Sequence, residues 1–398
     1  MALPTFVSRA LTNPSIVTFQ EGHTQVVSVL LEKARENIDV NKTTFDQGTP
    51  LLIACAEGHA DVVELLLEKA KNTLNVNQAT PLFTACQHGD AKVVALLLDK
   101  ARDTIDVNRR GTVISGATPL DTACHLGNAD IVALLLDKAR DSIDVNKARP
   151  NNHSTPLLLA CLHGRFQVVS VLLDRALDKV NVNQPRSDDG STPLLLACES
   201  GYTKTVAQLL DKARHKIDVN RARNNDGSTP LLLACRNGHT KTVAQLLDKA
   251  RDKIDVNQAR VTDGSTPLLL ACQNGHTKTV AQLLTKFRHT INVNQARKSD
   301  GSTPLLLACR NGHTETVVQL LDKAQGKIDV NQARTTDGST PLLLACQSGH
   351  ADVVTQLLAK TRGVLDINRA RTRDGSTPLS IALHEGHVHI ANKLTKKC

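Results

Sequence analysis

The chain has no tryptophan, one tyrosine (Tyr202) and one methionine (Met1) among 398 residues, and aromatic residues make up only 2% of it. A wide core fills its centre with large rings, so this scarcity points to a narrow core of aliphatic side chains. No run of about 18 apolar residues occurs, so no transmembrane helix is expected. The N-terminal MALPTFVSRALTNPSIVTF lacks the charged-then-apolar order of a secretory signal. Ten cysteines fall below disulfide-scaffold density at this length and suit a reducing compartment, the cytoplasm or nucleus. The motifs G-x-x-x-x-G-K-[ST], G-x-G-x-x-G, H-E-x-x-H and G-x-S-x-G are missing, so the chain is read as not an enzyme, with no cofactor. The net charge of +9 is modest and leaves room for an acidic partner.

What is present is a period. Thr-Pro recurs with its proline at 50, 81, 119, 156, 193, 230, 267, 304, 341 and 378, with gaps of 31, 38 and then 37 seven times. A fixed spacing of this size marks a stacked repeat array. In the unit Thr229–Ser265, Thr229 suits an N-cap and Pro230 the first helical residue. LLLAC makes a short helix buried on most sides, and Gly238 suits the left-handed turn that ends it. A second helix follows, with Val243, Leu246, Leu247 and Ala250 on one stripe and Lys249, Arg251 and Lys253 near its end. IDVNQARVTDG then reads as an extended finger with an Asp-Gly turn. Neither helix can bury its apolar face alone, so the units must stack.

The string G-S-T-P-L-L-L-A-C-x-x-G-H-x-x-x-V-x-x-L-L, with D-V-N ahead of the next unit, resembles the ankyrin repeat over about residues 20–398. The resemblance implies an all-α ankyrin-repeat solenoid, a curved stack of helix-turn-helix units with projecting β-turn or hairpin fingers. Ten Thr-Pro units follow a half unit at 21–41, and residues 1–19 are read as irregular. The usual histidine after T-P-L is leucine here (Leu158, Leu195, Leu232, Leu269, Leu306, Leu343). A stretch such as ARDKID adds three residues after the second helix, and the finger gains one. The 50-to-81 unit has lost most of its finger, while RRGTVISGA (109–117) is overlong; both are expected places for a kink or a partner-reading loop. The last unit, about 375–398, reads as a polar cap with Lys393 where earlier units place Leu357 or Leu320.

Two columns look chemical. Cys55, Cys86, Cys124, Cys161, Cys198, Cys235, Cys272, Cys309 and Cys346 recur once per unit. Stacked equivalents about 10 Å apart suit neither a disulfide, which needs Cα atoms within about 7 Å, nor shared zinc ligation. The column is expected to be core filler. His59, His239, His276, His313, His350 and His387 give way to Asp90, Asn128, Arg165 and Tyr202 in other units, which a metal ligand would not allow. The resemblance implies that this histidine satisfies backbone groups at the helix–helix turn.

An arginine column (Arg149, Arg186, Arg223, Arg260, Arg297, Arg334, Arg371) stands at the finger bases, each later one a few residues before an aspartate such as Asp226 or Asp263. The favoured expectation is a structural Arg–Asp tie. The alternative makes Arg186, Arg223, Arg260, Arg297 and Arg334 a site for phosphoinositide, nucleic acid or an acidic peptide. Nucleic acid is disfavoured, because no aromatic residues interleave. The residues that differ from copy to copy are Glu199, Arg236, Asn237, Gln273, Asn274, Arg310, Asn311 and Gln347 after the cysteines, and Asn225, Thr262, Lys298, Thr336 and Arg373 in the fingers. The resemblance places such positions on a concave, partner-contacting face. The expected function is a monomeric, non-catalytic scaffold that binds a protein or peptide.

Overall fold

The computed structural model describes residues 14–33, 39–111 and 116–396. It is all-helical, with no strand among the described residues. Two compact units group as Met1–Asp188 and Asp189–Cys398. Within each, a short helix and a longer one alternate, and each helix packs on its equivalents in neighbouring repeats. No helix among the described residues is long and apolar enough to cross a membrane.

The repeat around Thr229 shows why. The Thr229 hydroxyl accepts a hydrogen bond from the Leu232 amide at 3.3 Å, and Pro230 opens the helix Pro230–Arg236, whose Leu231 to Cys235 are all buried. Gly238 turns the chain with φ at +70°, a conformation that costs a side chain dearly. A Cβ there would also sit 2.5 Å from the imidazole of His276 in the next repeat. The second helix, Thr240–Lys249, buries Thr242, Val243, Leu246 and Leu247. The three residues inserted after it form a 3-10 turn, Arg251–Lys253. The finger closes as a tight hairpin turn, Arg260 N–H donating to Ser265 O and Gly264 N–H to Arg260 O, both at 2.8 Å.

The core of the second unit is aliphatic. Leu195, Leu232, Leu233, Leu269, Leu270 and Leu307 form one buried cluster. Of the leucines that replace the family's histidine, Leu195, Leu232 and Leu269 are inside it, where each contributes about 1.5–3 kcal/mol by burial and leaves no polar atom to satisfy.

The finger asparagine links successive repeats through both ends of its amide. Asn257 Nδ2 donates to Thr290 O and Asn257 Oδ1 accepts from Asn292 N–H, both at 2.8 Å. Asn41, Asn77, Asn108, Asn146, Asn220, Asn294 and Asn331 make the same pair of bonds to the repeat that follows. The amide acts between units, not merely within a local turn.

Three expectations need correcting. The segment read as irregular contains the helix Pro14–Gln20, so the half unit has its first helix. Pro14 holds the place of the other units' prolines, and Gln20 O accepts from His59 Nε2 at 2.7 Å, as later first helices do. An asparagine in place of threonine before that proline hid it. Residues 1–13 lie outside the described ones. In the last repeat, Leu394, not Lys393, takes the place of Leu357 and Leu320, and it is 1% exposed. Lys393 aligns with Gln356 and donates to Thr355 Oγ1 at 2.6 Å. The extra segment after the second helix adds a single 3-10 or hydrogen-bonded turn, separated from the helix by residues such as Ala250.

The shortened 50-to-81 finger leaves Ala79 and Thr80 at φ +57° and +60°, in the left-handed region that side chains disfavour. Thr80 consequently makes no side-chain cap on Pro81–His88. Of the overlong finger, residues 112–115 lie outside the described ones. Its base is closed by Gly111 N–H donating to Ala117 O at 2.9 Å.

Candidate partner-binding face

The chemical-looking columns belong to the framework. All nine cysteines are free and fully buried. Burial pushes the Cys346 thiol up to about 12 and raises those of Cys235, Cys272 and Cys309 as well, which removes thiolate chemistry at these positions near neutral pH.

Each column histidine donates from Nε2 to the last carbonyl of the preceding repeat's first helix: His239 to Glu199 O, His276 to Arg236 O, His313 to Gln273 O and His350 to Arg310 O, all at 3.0 Å. The resemblance put this bond at the local turn; it crosses to the neighbour instead. Helix ends leave carbonyls unsatisfied, and this imidazole supplies the donor. Gly-His is thus an interlock, with the glycine of one repeat making room for the histidine of the next.

Asn237, Asn274 and Asn311 share that duty. Their Nδ2 groups donate to Glu199 O, Arg236 O and Gln273 O at 2.8, 2.7 and 2.8 Å. Their position is serine in other repeats (Ser200, Ser348), yet here their amides are committed to the neighbouring repeat.

The finger arginines are committed as well. Arg260 Nε and Nη2 donate to the two carboxylate oxygens of Asp263 at 3.0 and 2.6 Å. Arg223–Asp226, Arg297–Asp300, Arg334–Asp337 and Arg371–Asp374 repeat the fork. Each of these aspartates also accepts from a serine two residues on, as Asp263 does from Ser265 N–H and Oγ at 3.0 and 2.7 Å. Burial would raise the Asp226 carboxyl, but the bonds from Arg223 and Ser228 outweigh it and hold it at about 2. Arg186 pairs with Asp188 at 2.9 Å. From Arg223 onward the arginines form hairpin locks with the aspartate of their own finger.

Fingers also lean on one another. Val261 N–H donates to Asp226 O at 3.1 Å and Lys298 N–H to Asp263 O at 2.9 Å, and the Lys298 side chain passes over Gly264. The tips Asn225, Thr262, Lys298, Thr336 and Arg373 remain exposed. At the first-helix ends, Glu199 receives Arg223 Nη1 at 3.3 Å and Arg236 Nη2 at 3.2 Å, and Gln273 Oε1 accepts from Arg297 Nη1 at 3.3 Å. Gln347 is half-buried and Arg310 exposed.

One cluster in the first unit escaped the sequence reading. Asp121 stands where most other units have leucine and is fully buried. It boxes the helix start, Thr118 N–H donating to Asp121 Oδ2 at 2.9 Å and Asp121 N–H to Thr118 Oγ1 at 3.1 Å. Arg149, whose finger carries Asn152 in place of the usual aspartate, turns toward it instead. Burial pushes the Asp121 carboxyl up despite Thr118 and Arg149, and lowers Arg149. Beside them the rings of His125 and His163 meet edge to face, centroids 4.3 Å apart. Burial lowers the pKa of both imidazoles, helped by neighbouring positive charge. Asp121 Oδ1, His125 Nδ1 and Arg149 Nε have no hydrogen-bond partner among the described residues. The paired departures Asp-for-Leu and Asn-for-Asp were the readable signal.

A family model described as ankyrin repeats in three copies matches residues 15–111, 105–184, 176–260, 252–334 and 327–398, end to end through the stack just described. The chain belongs to the ankyrin-repeat family. No curated protein matches it. Ankyrin repeats are generally protein-interaction modules and typically non-catalytic. In this ankyrin chain the histidines, asparagines and finger arginines act as framework, which leaves the exposed first-helix ends and finger tips as the surface free to vary.

Proposed function

We propose that the chain is a non-catalytic binding module that holds a partner protein or peptide on the face made by its first-helix ends and finger tips. One observation carries this reading. In near-identical repeats, the constant side chains are engaged within or between repeats, while exposed positions such as Arg310, Asn225, Thr262, Thr336 and Arg373 change from copy to copy. A surface with few aromatic anchors binds through polar contacts drawn from several repeats, with moderate strength. The buried free thiols suit a reducing compartment.

The test is affinity capture of a partner by the full chain, followed by cross-linking and mapping of the linked residues. Cross-links concentrated on finger tips and first-helix ends are expected. Cross-links confined to the exposed second-helix residues Lys241, Lys278 and Asp352 would sink the reading.

A further inference from the structure

In the second unit the residue after each column cysteine forms a row: Glu199, Arg236, Gln273, Arg310, Gln347. Two of these meet the finger arginine that follows them, Glu199 beside Arg223 and Gln273 beside Arg297, both at 3.3 Å. Glu199 is the carboxylate of this row, and it is held between two guanidinium groups, Arg223 and Arg236. Two repeats on, the same three places hold Gln273, Arg297 and Arg310. Arg297 reaches the Gln273 amide oxygen, but a neutral amide gives Arg310 no counter-charge. Arg310 is exposed, and its side chain has no ion pair or hydrogen bond among the described residues. The nearby finger carboxylates do not supply one, since Asp300 and Asp337 are each gripped by their own arginine and serine. Lys298 and Arg373, at exposed finger tips, also lack a carboxylate partner among the described residues.

We propose that Arg310 anchors a carboxylate side chain of an acidic, extended segment of the partner, seated between Arg310 and the Gln273–Arg297 pair. The chain itself displays the occupied form of this site: Glu199 between Arg223 and Arg236. A planar guanidinium takes a carboxylate through two parallel N–H bonds, and a protein carboxylate is the group already seen in the equivalent place. An extended peptide advances about 3.3 Å per residue, against about 10 Å between stacked repeats. A carboxylate at every third residue therefore keeps step with the array, with Gln273 and Gln347 offering amides on either side. The proposal rests on reading this face as the protein-binding surface.

The probe is a fluorescently labelled peptide of Glu-Gly-Ser triplets, with Gln-Gly-Ser as its neutral control, titrated against the full chain. The Glu peptide is expected to bind about tenfold more tightly, as hydrogen bonds between charged groups allow. Gln273→Glu is expected to remove that preference with the melting temperature kept or raised, because the new carboxylate bridges Arg297 and Arg310. Lys278→Gln, which lowers the net charge by the same one unit at an exposed second-helix position away from this face, is expected to leave it intact. Glu199→Gln is expected to strengthen binding severalfold by freeing Arg236. A preference unchanged by Gln273→Glu, or lost equally in Lys278→Gln, overturns the proposal. So does tighter binding of single-stranded DNA of matched charge that disappears in Gln273→Glu, which would assign the site to nucleic acid. If the captured partner cross-links to this face through a segment without carboxylates, this proposal fails and the binding-face reading stands.

Discussion

Arg149 Nε lies 3.9 Å from Asp121 Oδ2, a side chain that is fully buried on the first helix of the preceding repeat. In Arg223, Arg260, Arg297, Arg334 and Arg371 the carboxylate comes from the arginine's own finger. Here it has moved into the core, and the pairing is looser. Removing one partner of a buried pair leaves the other charge stranded at about 3–5 kcal/mol, whereas replacing the arrangement with apolar packing is often neutral or better. Asp121→Leu alone is expected to destabilise the first unit by a few kcal/mol. Adding Asn152→Asp, which restores the finger lock, is expected to bring stability above the parent. Thermal melts of the single and double variants check both outcomes; a double variant no better than Asp121→Leu refutes the account.

The aspartate locks predict a sensitivity to acid. Asp226 titrates at about 2 in the fold, held there by Arg223 and Ser228 against burial, and Asp263, Asp300 and Asp337 are lowered in the same way. A depressed carboxylate contributes stability in full above its unfolded value of about 4, and that contribution is lost as pH falls toward 2. Asp121, shifted upward by burial, has the opposite sign, favouring the fold below about pH 4 and losing that advantage as pH rises. Hydrogen exchange followed from pH 5 to 2 is expected to show finger amides such as Ser265 and Ser302 losing protection together. Uniform protection across that range would contradict it.

Leu246 and Leu283 are fully buried on second helices. Either changed to alanine is expected to cost about 2–5 kcal/mol. In a stack where each repeat touches only its neighbours, the loss should also decouple the repeats on either side. A melt that splits into two transitions is the expected result; one unchanged cooperative transition speaks against the stacked-repeat account.

Asn257→Ala removes two bonds between adjacent repeats, to Thr290 O and from Asn292 N–H. At about 0.5–1.5 kcal/mol for each such bond, the expected loss is about 1–3 kcal/mol, with protection at the Asn292 amide falling first. A variant whose Asn292 amide exchanges as slowly as in the parent would rule out the link.

The nine column thiols are fully buried, and burial raises the pKa of those such as Cys55, Cys161, Cys235 and Cys272. They are expected to resist alkylation in the folded chain and to react at the rate of repeat opening when denaturant is added. Rapid labelling of Cys235 or Cys272 under native conditions would contradict this packing.

Much of this was legible before the structure. The period of Thr-Pro, the N-cap threonines and the leucine stripe at Val243, Leu246 and Leu247 state the two-helix unit locally, because caps and apolar spacing act within a few residues. The helix at Pro14–Gln20 was missed because Asn13 stands where the other units have threonine, so the period appeared to start later. The binding face was half legible. Variation marked two rows, yet in one of them Asn237, Asn274 and Asn311 serve the neighbouring repeat.

The sequence by itself determined the repeat unit, its helix boundaries, its aliphatic core and the small buried position that each cysteine fills. These follow from short-range sterics and from burial, which depend on side-chain type and spacing. Only the tertiary structure decided where each polar group finds its partner. Hydrogen bonds form between atoms about 3 Å apart, and in a stack those atoms come from residues about one repeat apart along the chain. That is why His276 belongs to Arg236 O and Arg149 to Asp121, and why Arg310 is left with no carboxylate of its own among the described residues.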